Sequence, residues 1–312
     1  MKIQVVTSAL NEEDCIKEYC QQMRNLFELH NNYEWELLFF DNGSKDKTWE
    51  LIKSEAKSDS RFTALRMSRT FDLDNAFSAG LDLADADAVI LMASDLQDPP
   101  LIISKFIEKW ELGAKHVVAK VNNRKNLRLT MKIGTKTFYW LSHKLTDGLI
   151  PQNVSDFRLL DKKVYTVVKS MREQHRWLRA TIAWTGFQPD VINFDRPERF
   201  AGRSNVTIKK IFPVALRALL AFSAKPVIWL FNFALFAIVC SILLTISLAI
   251  FWVSRGVPFS GFGWIILVMI IGFSFNFSMI ALLAQYVSLN YNESKNRPLY
   301  ILSEVVKLEK IN

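Results

Sequence analysis

Three aspartates stand beside short apolar runs, where a carboxylate can serve chemistry as well as structure. Asp41 ends the run WELLFFD and is followed by Asn42-Gly43. In one reading Asn42-Gly43 makes the turn and Asp46 caps the next helix; in the other Asp41 accepts hydrogen bonds from a base or ribose. Asp95 lies in ASDLQDPP, residues 93–100. There Asp98 followed by two prolines makes a helix N-terminus, which leaves Asp95 without a structural task. With Gln97 it suits a hard divalent cation, since Mg²⁺ binds through one or two carboxylates and completes its shell with phosphates and waters. Such a cation neutralises charge growing on a leaving diphosphate. Asp156 sits in SDFR, residues 155–158. Either Ser155 or Asp156 caps a following helix, or Asp156 is a general base or orienting carboxylate that faces an acceptor. A fourth cluster, Arg196-Pro-Glu-Arg-Phe-Ala-Gly-Arg-Ser204, is a basic loop. It is either drawn to anionic lipid or forms a phosphate clamp, because arginine forks match phosphate oxygens in pairs.

Alternating strands and helices are needed to hold these clusters. Apolar runs predict strands at Ile3–Thr7, Trp35–Phe40, Phe62–Met67, Ala88–Met92 and His116–Lys120. Helical patterns fall at Asp14–His30, Lys47–Ser58, Asn75–Ala84, Pro99–Leu112 and Arg128–Leu145. That alternation predicts an α/β fold with a mostly parallel sheet covered on both faces. Ligands of such sheets bind beyond the carboxyl ends of the strands, where the polar clusters fall.

The last third changes character. No Asp, Glu, Lys or Arg occurs from Pro226 to Ser254, or again from Gly256 to Asn292. Each stretch exceeds the ~20 residues that cross a bilayer as a helix, so two transmembrane helices are expected. Val206–Ser223 mixes basic and apolar residues around Pro213 and reads as an interfacial helix. The resulting division is 1–205 for the α/β domain, 206–224 for the interfacial helix, 225–290 for the transmembrane hairpin and 291–312 for a tail. Lys209, Lys210, Arg217 and Lys225 precede the first stretch, and Lys295, Arg297, Lys307 and Lys310 follow the second, against Arg255 alone between them. This bias places both termini and the α/β domain in the cytoplasm, at the inner or plasma membrane if the source is bacterial. The net charge of +8 is then assigned to a membrane surface and not to nucleic acid. The opening MKIQVVTSALNEED reads as a strand and a polar turn, not a signal peptide. Cys15, Cys20 and Cys240 form no CxxC pair, which argues against a disulfide framework or zinc site.

NEED, DNGSKDKT, SDLQDPP, SDFRLLDKK, RWLRATIAWTGF, FDRPERFAG and NRPLYIL, in that order, resemble family 2 glycosyltransferases of the GT-A fold. Within them the chain is similar to the polyprenyl-phosphate glycosyltransferases. The resemblance implies a GT-A domain, Rossmann-like, followed by an interfacial helix and two transmembrane helices. It implies that Ser8, Asn11, Glu12, Asp41 and Ser94 surround a nucleotide. Asp95 and Gln97 would contact a divalent metal, Mg²⁺ or Mn²⁺, and Asp95 and Asp156 would be catalytic. Arg158, Arg199, Arg203 and Ser204 would hold phosphates of the acceptor. The implied partners are a nucleotide sugar, a polyprenyl phosphate, the membrane and further copies of the chain, up to a tetramer. Three departures stand out: Ser8 and Leu10 replace Pro and Tyr, Ala93 replaces the first Asp of Asp-x-Asp, and Ser204-Asn205-Val206 replaces Ser-Lys-Tyr.

The implied reaction is inverting transfer of a sugar, from a UDP-sugar first, to the lipid phosphate. A phosphate monoester with a second pKa near ~6 is largely ionised at neutral pH, so Asp156 is expected to orient more than to deprotonate. Two rivals remain: a membrane adaptor that has lost catalysis, and a processive polysaccharide synthase. Against the second, Gln174-His175-Arg176-Trp177 is one residue short of Gln-x-x-Arg-Trp.

Overall fold

The computed structural model describes residues 1–122, 154–174, 176–197, single helical positions between 225 and 254, and 262–307. The chain divides into two compact units, Met1–Pro213 with Arg297–Asn312, and Val214–Asn296.

In the first unit, strands β1 (Lys2–Ala9), β2 (Glu34–Asp41), β3 (Phe62–Met67) and β4 (Ala88–Ala93) alternate with helices α1 (Ile16–Leu29), α2 (Thr48–Ser58), α3 (Leu73–Leu83) and α4 (Ile102–Glu111). Then come β5 (His116–Val121), β6 (Val154–Asp161), α5 (Lys162–Ser170), α6 (Leu178–Trp184), β7 (Asp190–Phe194) and, after the second unit, β8 (Leu302–Lys307). The sheet order is β7-β5-β6-β4-β1-β2-β3-β8. β1 pairs parallel with β2 and β4, β2 with β3, and β5 with β7. β6 runs antiparallel to β4 and β5, and β8 antiparallel to β3. The sheet is therefore mixed, less uniformly parallel than the sequence pattern predicts.

The central strands are largely apolar and buried because both faces are covered. Val5, Leu37, Phe39, Ile90 and Phe157 pack into one layer with α1, α2 and α4. Their neighbours Val6, Leu38, Phe40, Leu91 and Leu160 pack into the other with α3, α5 and α6. The second layer is tight at Gly80, where a Cβ would lie 2.1 Å from a Val6 methyl. The helix can press on β1 only because that position has no side chain.

Two capping expectations are corrected. Ser155 and Asp156 do not cap a helix; they lie at the start of β6, because the buried residues that follow have partners on both sides, β4 and β5. The helix after this run starts six residues later and is capped by Asp161, whose carboxylate accepts the Lys163 amide at 3.0 Å. Asp98 does not cap α4 either, since α4 begins at Ile102 and the Asp98 carboxylate is bound by Arg196.

The two transmembrane helices are not shown. Among the described residues no helix is long and apolar enough to cross a membrane. The second stretch contains helix α7 (Phe262–Ser294), interrupted by the polar Asn276, Gln285 and Asn290. Most of the first stretch, the 206–224 segment and the Arg128–Leu145 helix lie outside the described residues.

Candidate functional site

The strand directions gather the polar clusters at one edge of the sheet. β1, β2 and β4 are parallel and end there, at Ala9, Asp41 and Ala93. β6 runs the opposite way, so it begins at this edge with Ser155 and Asp156. Its register with β4 starts at Leu91↔Arg158, so Asp156, two residues earlier in β6, lies toward the end of β4. β7 ends at the same edge and delivers Arg196 two residues later.

The loops after β1 and β2 are fastened to each other. The Asn11 amide donates to Ser44 Oγ at 2.9 Å, the Lys45 amide to Asn11 Oδ1 at 2.9 Å, and the Glu12 amide to Thr48 Oγ1 at 2.9 Å. Asn11 has φ +56°, a left-handed conformation that Asn tolerates better than most residues. Asp41 is fully buried and its Oδ1 accepts the Ser44 amide at 3.0 Å. Arg66 Nε lies 3.3 Å from Oδ2, an ion-pair distance without hydrogen-bond alignment. The connection after β3 closes over this place: Asn42 accepts from the Phe71 amide and donates to the Phe71 carbonyl, both at 2.8 Å. Gly43 is required beneath it, with φ +77° and a Cβ position only 2.8 Å from the Thr70 nitrogen. Ser94 Oγ donates to the Ser8 carbonyl at 3.1 Å, tying β4's exit to β1.

Leu96, φ +57°, turns the chain after β4. A left-handed leucine is strained by about 1–2 kcal/mol, and such strain gathers at functional sites. The turn brings Asp95 Oδ1 to 3.2 Å from the Gln97 amide. Asp98 is buried and held by Arg196 at 2.6 Å, with Ser155 Oγ at 3.4 Å from the same guanidinium nitrogen. Burial drives its carboxyl upward against the opposing pull of Arg196.

Asp156 is half-buried and gripped from α6. Arg179 Nε reaches Oδ1 at 2.5 Å and an Arg179 Nη reaches Oδ2 at 2.7 Å. Burial alone would raise this carboxyl, but Arg179, then Arg158 and Arg196, hold it below the usual carboxylate range. The arrangement makes Asp156 an ionised, oriented acceptor and a weak base. Arg158 is 3% exposed. It donates to the Ser155 and Asp156 carbonyls at 2.8 and 3.3 Å, and so stiffens the start of β6. Burial lowers it to about 10, and burial followed by Arg158 lowers neighbouring His116 to about 3, so that imidazole is neutral.

The structure thus brings Ser8, Asn11, Glu12, Asp41, Ser94, Asp95, Gln97, Asp156 and Arg158 to one edge. Arg199, Arg203 and Ser204 lie outside the described residues. Sequence reasoning missed Arg66 and Arg179. For Arg179 the signal was present: a lone charge in the otherwise uncharged LRATIAW.

For a metal, the donor set is small. Among the described residues no group of three or more His, Cys, Asp or Glu is placed to hold one. Ala93 offers no donor, and Asp98 and Asp156 are engaged by arginines. Asp95 and Gln97 fit a cation only if substrate phosphates supply most of its shell, as is usual for Mg²⁺.

Comparison with known proteins identifies the family. The family model for glycosyl transferase family 2 matches residues 4–168, and the bactoprenol glucosyl transferase of Shigella phage SfV is 34% identical over 97% of this chain and 98% of its own. The chain belongs to glycosyl transferase family 2. It is a glycosyltransferase, and a prophage bactoprenol glucosyl transferase homolog of Escherichia coli K12 is 33% identical over 98% of this chain and 100% of that protein. Among solved structures, glucosyl-3-phosphoglycerate synthase from Mycobacterium tuberculosis in complex with Mn²⁺, UDP and glucosyl-3-phosphoglycerate superposes with a TM-score of 0.51. That match covers 71% of this chain and 80% of the synthase at 18% identity, which shows the shared GT-A fold.

Proposed function

We propose that this glycosyltransferase moves a hexose from a nucleotide diphosphate sugar, a UDP-sugar in the first instance, to the phosphate of a membrane polyprenyl lipid. The observation that carries the reading is the Asp156–Arg179 pair beside Asp95 at the sheet edge: an ionised carboxylate fixed in direction, among arginines, where two phosphate-bearing substrates have to meet. The bactoprenol glucosyl transferases similar to it over nearly their whole length support a polyprenyl acceptor.

One lipid phosphate oxygen attacks the anomeric carbon, the bond from that carbon to the diphosphate breaks, and the nucleoside diphosphate departs. A single displacement inverts the anomeric centre. The attacking phosphate is already ionised at neutral pH, its second pKa being near ~6, so no strong base is required. Asp41 and the fastened loops around Asn11 hold the nucleoside; Asp156, kept in place by Arg179, orients the reacting groups. Holding both reactants in attack geometry supplies much of the rate. A divalent cation bound through Asp95 and Gln97 would neutralise charge on the leaving diphosphate. The loop with Arg199, Arg203 and Ser204 would meet the lipid phosphate.

The charge-free stretches Pro226–Ser254 and Gly256–Asn292 support a membrane location with two spans and a cytoplasmic catalytic domain. Exposed Phe273, Phe277, Ile280, Leu283 and Val287 along α7 agree with an apolar surrounding. Assembly into a tetramer belongs to the same proposal and is read by the mass of the detergent-solubilised protein. The metal is tested by chelation: EDTA and Asp95→Ala should each abolish transfer, and transfer indifferent to both overturns that part.

A further inference from the structure

We infer that Glu304, on the C-terminal strand β8, is a positioning residue for the donor nucleotide: it stands opposite Arg66 in register and holds that guanidinium toward Asp41. The inference rests on the reading of Asp41 as a contact of the nucleoside.

Three adjacent strands set a row of charges. Asp41 ends β2 and pairs in register with Arg66 of β3, and Arg66 pairs in turn with Glu304 of β8. Residues opposite each other in a sheet share a face, and on antiparallel strands their Cβ atoms lie about 4.5–5.5 Å apart. The row therefore alternates in sign: carboxylate, guanidinium, carboxylate. It faces α2, where the Arg66 guanidinium lies 5.4 Å from the centre of the buried Trp49 ring. Lys53 of the same helix extends the row, 2.6 Å from Glu304 and 5.9 Å from the Trp49 ring. Arg66 thus has Asp41 on one side at 3.3 Å, Glu304 on the other and the Trp49 ring against its guanidinium.

A regular β8 would not put Glu304 there. Leu302, Glu304 and Val306 are evenly spaced, which places all three on one face of an undisturbed strand. Yet Val306 packs on the layer of α1, α2 and α4, and Leu302 on the opposite layer. The register explains the switch: Arg66 pairs with Glu304 but Met67 with Leu302, so Ser303 is an extra residue in β8. Its hydroxyl donates to the Arg66 carbonyl at 3.2 Å, and the Ser68 amide donates to the Ile301 carbonyl at 2.9 Å. Bulges of this kind re-aim side chains and gather beside active sites. Here the bulge turns Glu304 to the face of Arg66 and Asp41.

Folding stability alone does not call for Glu304. The Lys53–Glu304 pair is partly exposed, and such pairs contribute little to folding. Asp41, by contrast, is fully buried, and among the described residues its Oδ2 accepts no hydrogen bond. Arg66 is the cation beside that oxygen, so a shift of Arg66 changes the acceptor offered to the nucleoside.

The test measures UDP and GDP binding to the full chain in detergent by calorimetry. Donor KM, acceptor KM and kcat are measured beside it, with undecaprenyl phosphate and the UDP- or GDP-sugar that the wild type uses best. Wild type is compared with Arg66→Ala, Glu304→Gln, the double variant and Lys307→Gln. Lys307 is the control: it lies on the same strand but pairs with Glu36 at 2.5 Å, toward the opposite edge of the sheet. Arg66→Ala is expected to weaken nucleotide binding and raise donor KM on the order of tenfold, the scale of a buried carboxylate losing its charged partner. Glu304→Gln is expected to do the same by about two- to fivefold, the scale of a cross-strand charge pair. In the Arg66→Ala background Glu304→Gln should add nothing, because it acts through Arg66. Acceptor KM and kcat should stay near wild type throughout, and Lys307→Gln should bind nucleotide as the wild type does. Wild-type nucleotide affinity in Glu304→Gln overturns the inference. So does a Glu304→Gln effect that persists in full without Arg66, or an equal loss in Lys307→Gln. If the wild type transfers no sugar from any donor, the proposed function fails, and UDP and GDP binding alone decides the inference. A wild type that binds neither nucleotide overturns the reading of Asp41 and the inference with it.

Discussion

Arg179 lays two nitrogens against the two carboxylate oxygens of Asp156, at 2.5 and 2.7 Å. A carboxylate gripped in this way accepts protons poorly but is fixed in direction. That suits an acceptor that arrives already ionised, and it distinguishes this site from one built to deprotonate a sugar hydroxyl.

The fork must matter more than the charge. Arg179→Ala should lower kcat/KM by about 100-fold, as expected for lost positioning of a catalytic group. Arg179→Lys should recover little of it, because an ammonium cannot reproduce a two-pronged contact. Steady-state kinetics on the three proteins checks this.

The pH profile follows from the Asp156 pairing. kcat should not climb above pH 7, and its acid limb should fall near ~6, where the lipid phosphate takes its second proton. For stability, Asp156 has a folded pKa below its unfolded value near ~3.9. Its contribution is present above the unfolded value and is lost as pH falls through the depressed folded one. Acid melts of the wild type and Asp156→Asn should therefore converge toward the lowest pH and differ above pH 4.

The Asp98–Arg196 pair joins the turn after β4 to the segment that leads into the basic loop. Removing either partner alone leaves the other charge without its match. A double-mutant cycle with Asp98→Asn and Arg196→Gln should give a coupling within the ~0.5–3 kcal/mol range of contacting residues. Acceptor KM should move more than donor KM.

Much of the first unit was legible because its central strands are rich in apolar residues and its helices carry a single apolar face. The strand at Phe62–Met67 and the strand ends next to Asp41 and Asp95 were placed correctly along the chain. β6 was not recognised as a strand, because its apolar run can equally begin a helix and its partners β4 and β5 lie far away in sequence. β8 was invisible for the same reason: LSEVVK becomes a strand by pairing with β3. Arg179 escaped because its role exists only across elements, closing on β6 from a distant helix. Asp98 illustrates the converse, a residue whose local pattern promised a cap while a distant arginine claimed it.

Gly80 tests the packing that supports this edge. A methyl there would lie 2.1 Å from a Val6 side-chain carbon, and overpacking of this kind costs typically ~1–3 kcal/mol. Gly80→Ala should lower the melting temperature, although alanine alone favours a helix by about 1 kcal/mol. Gly80→Ala with Val6→Ala should melt higher than Gly80→Ala by itself.

The central claim is sugar transfer to a lipid phosphate, directed by Asp156. Membranes containing the wild type, supplied with undecaprenyl phosphate, Mg²⁺ or Mn²⁺ and a panel of labelled UDP- and GDP-sugars, should move label into the lipid phase from at least one donor. Asp156→Ala should not. Absence of lipid-linked label with every donor, or label undiminished in Asp156→Ala, contradicts the account.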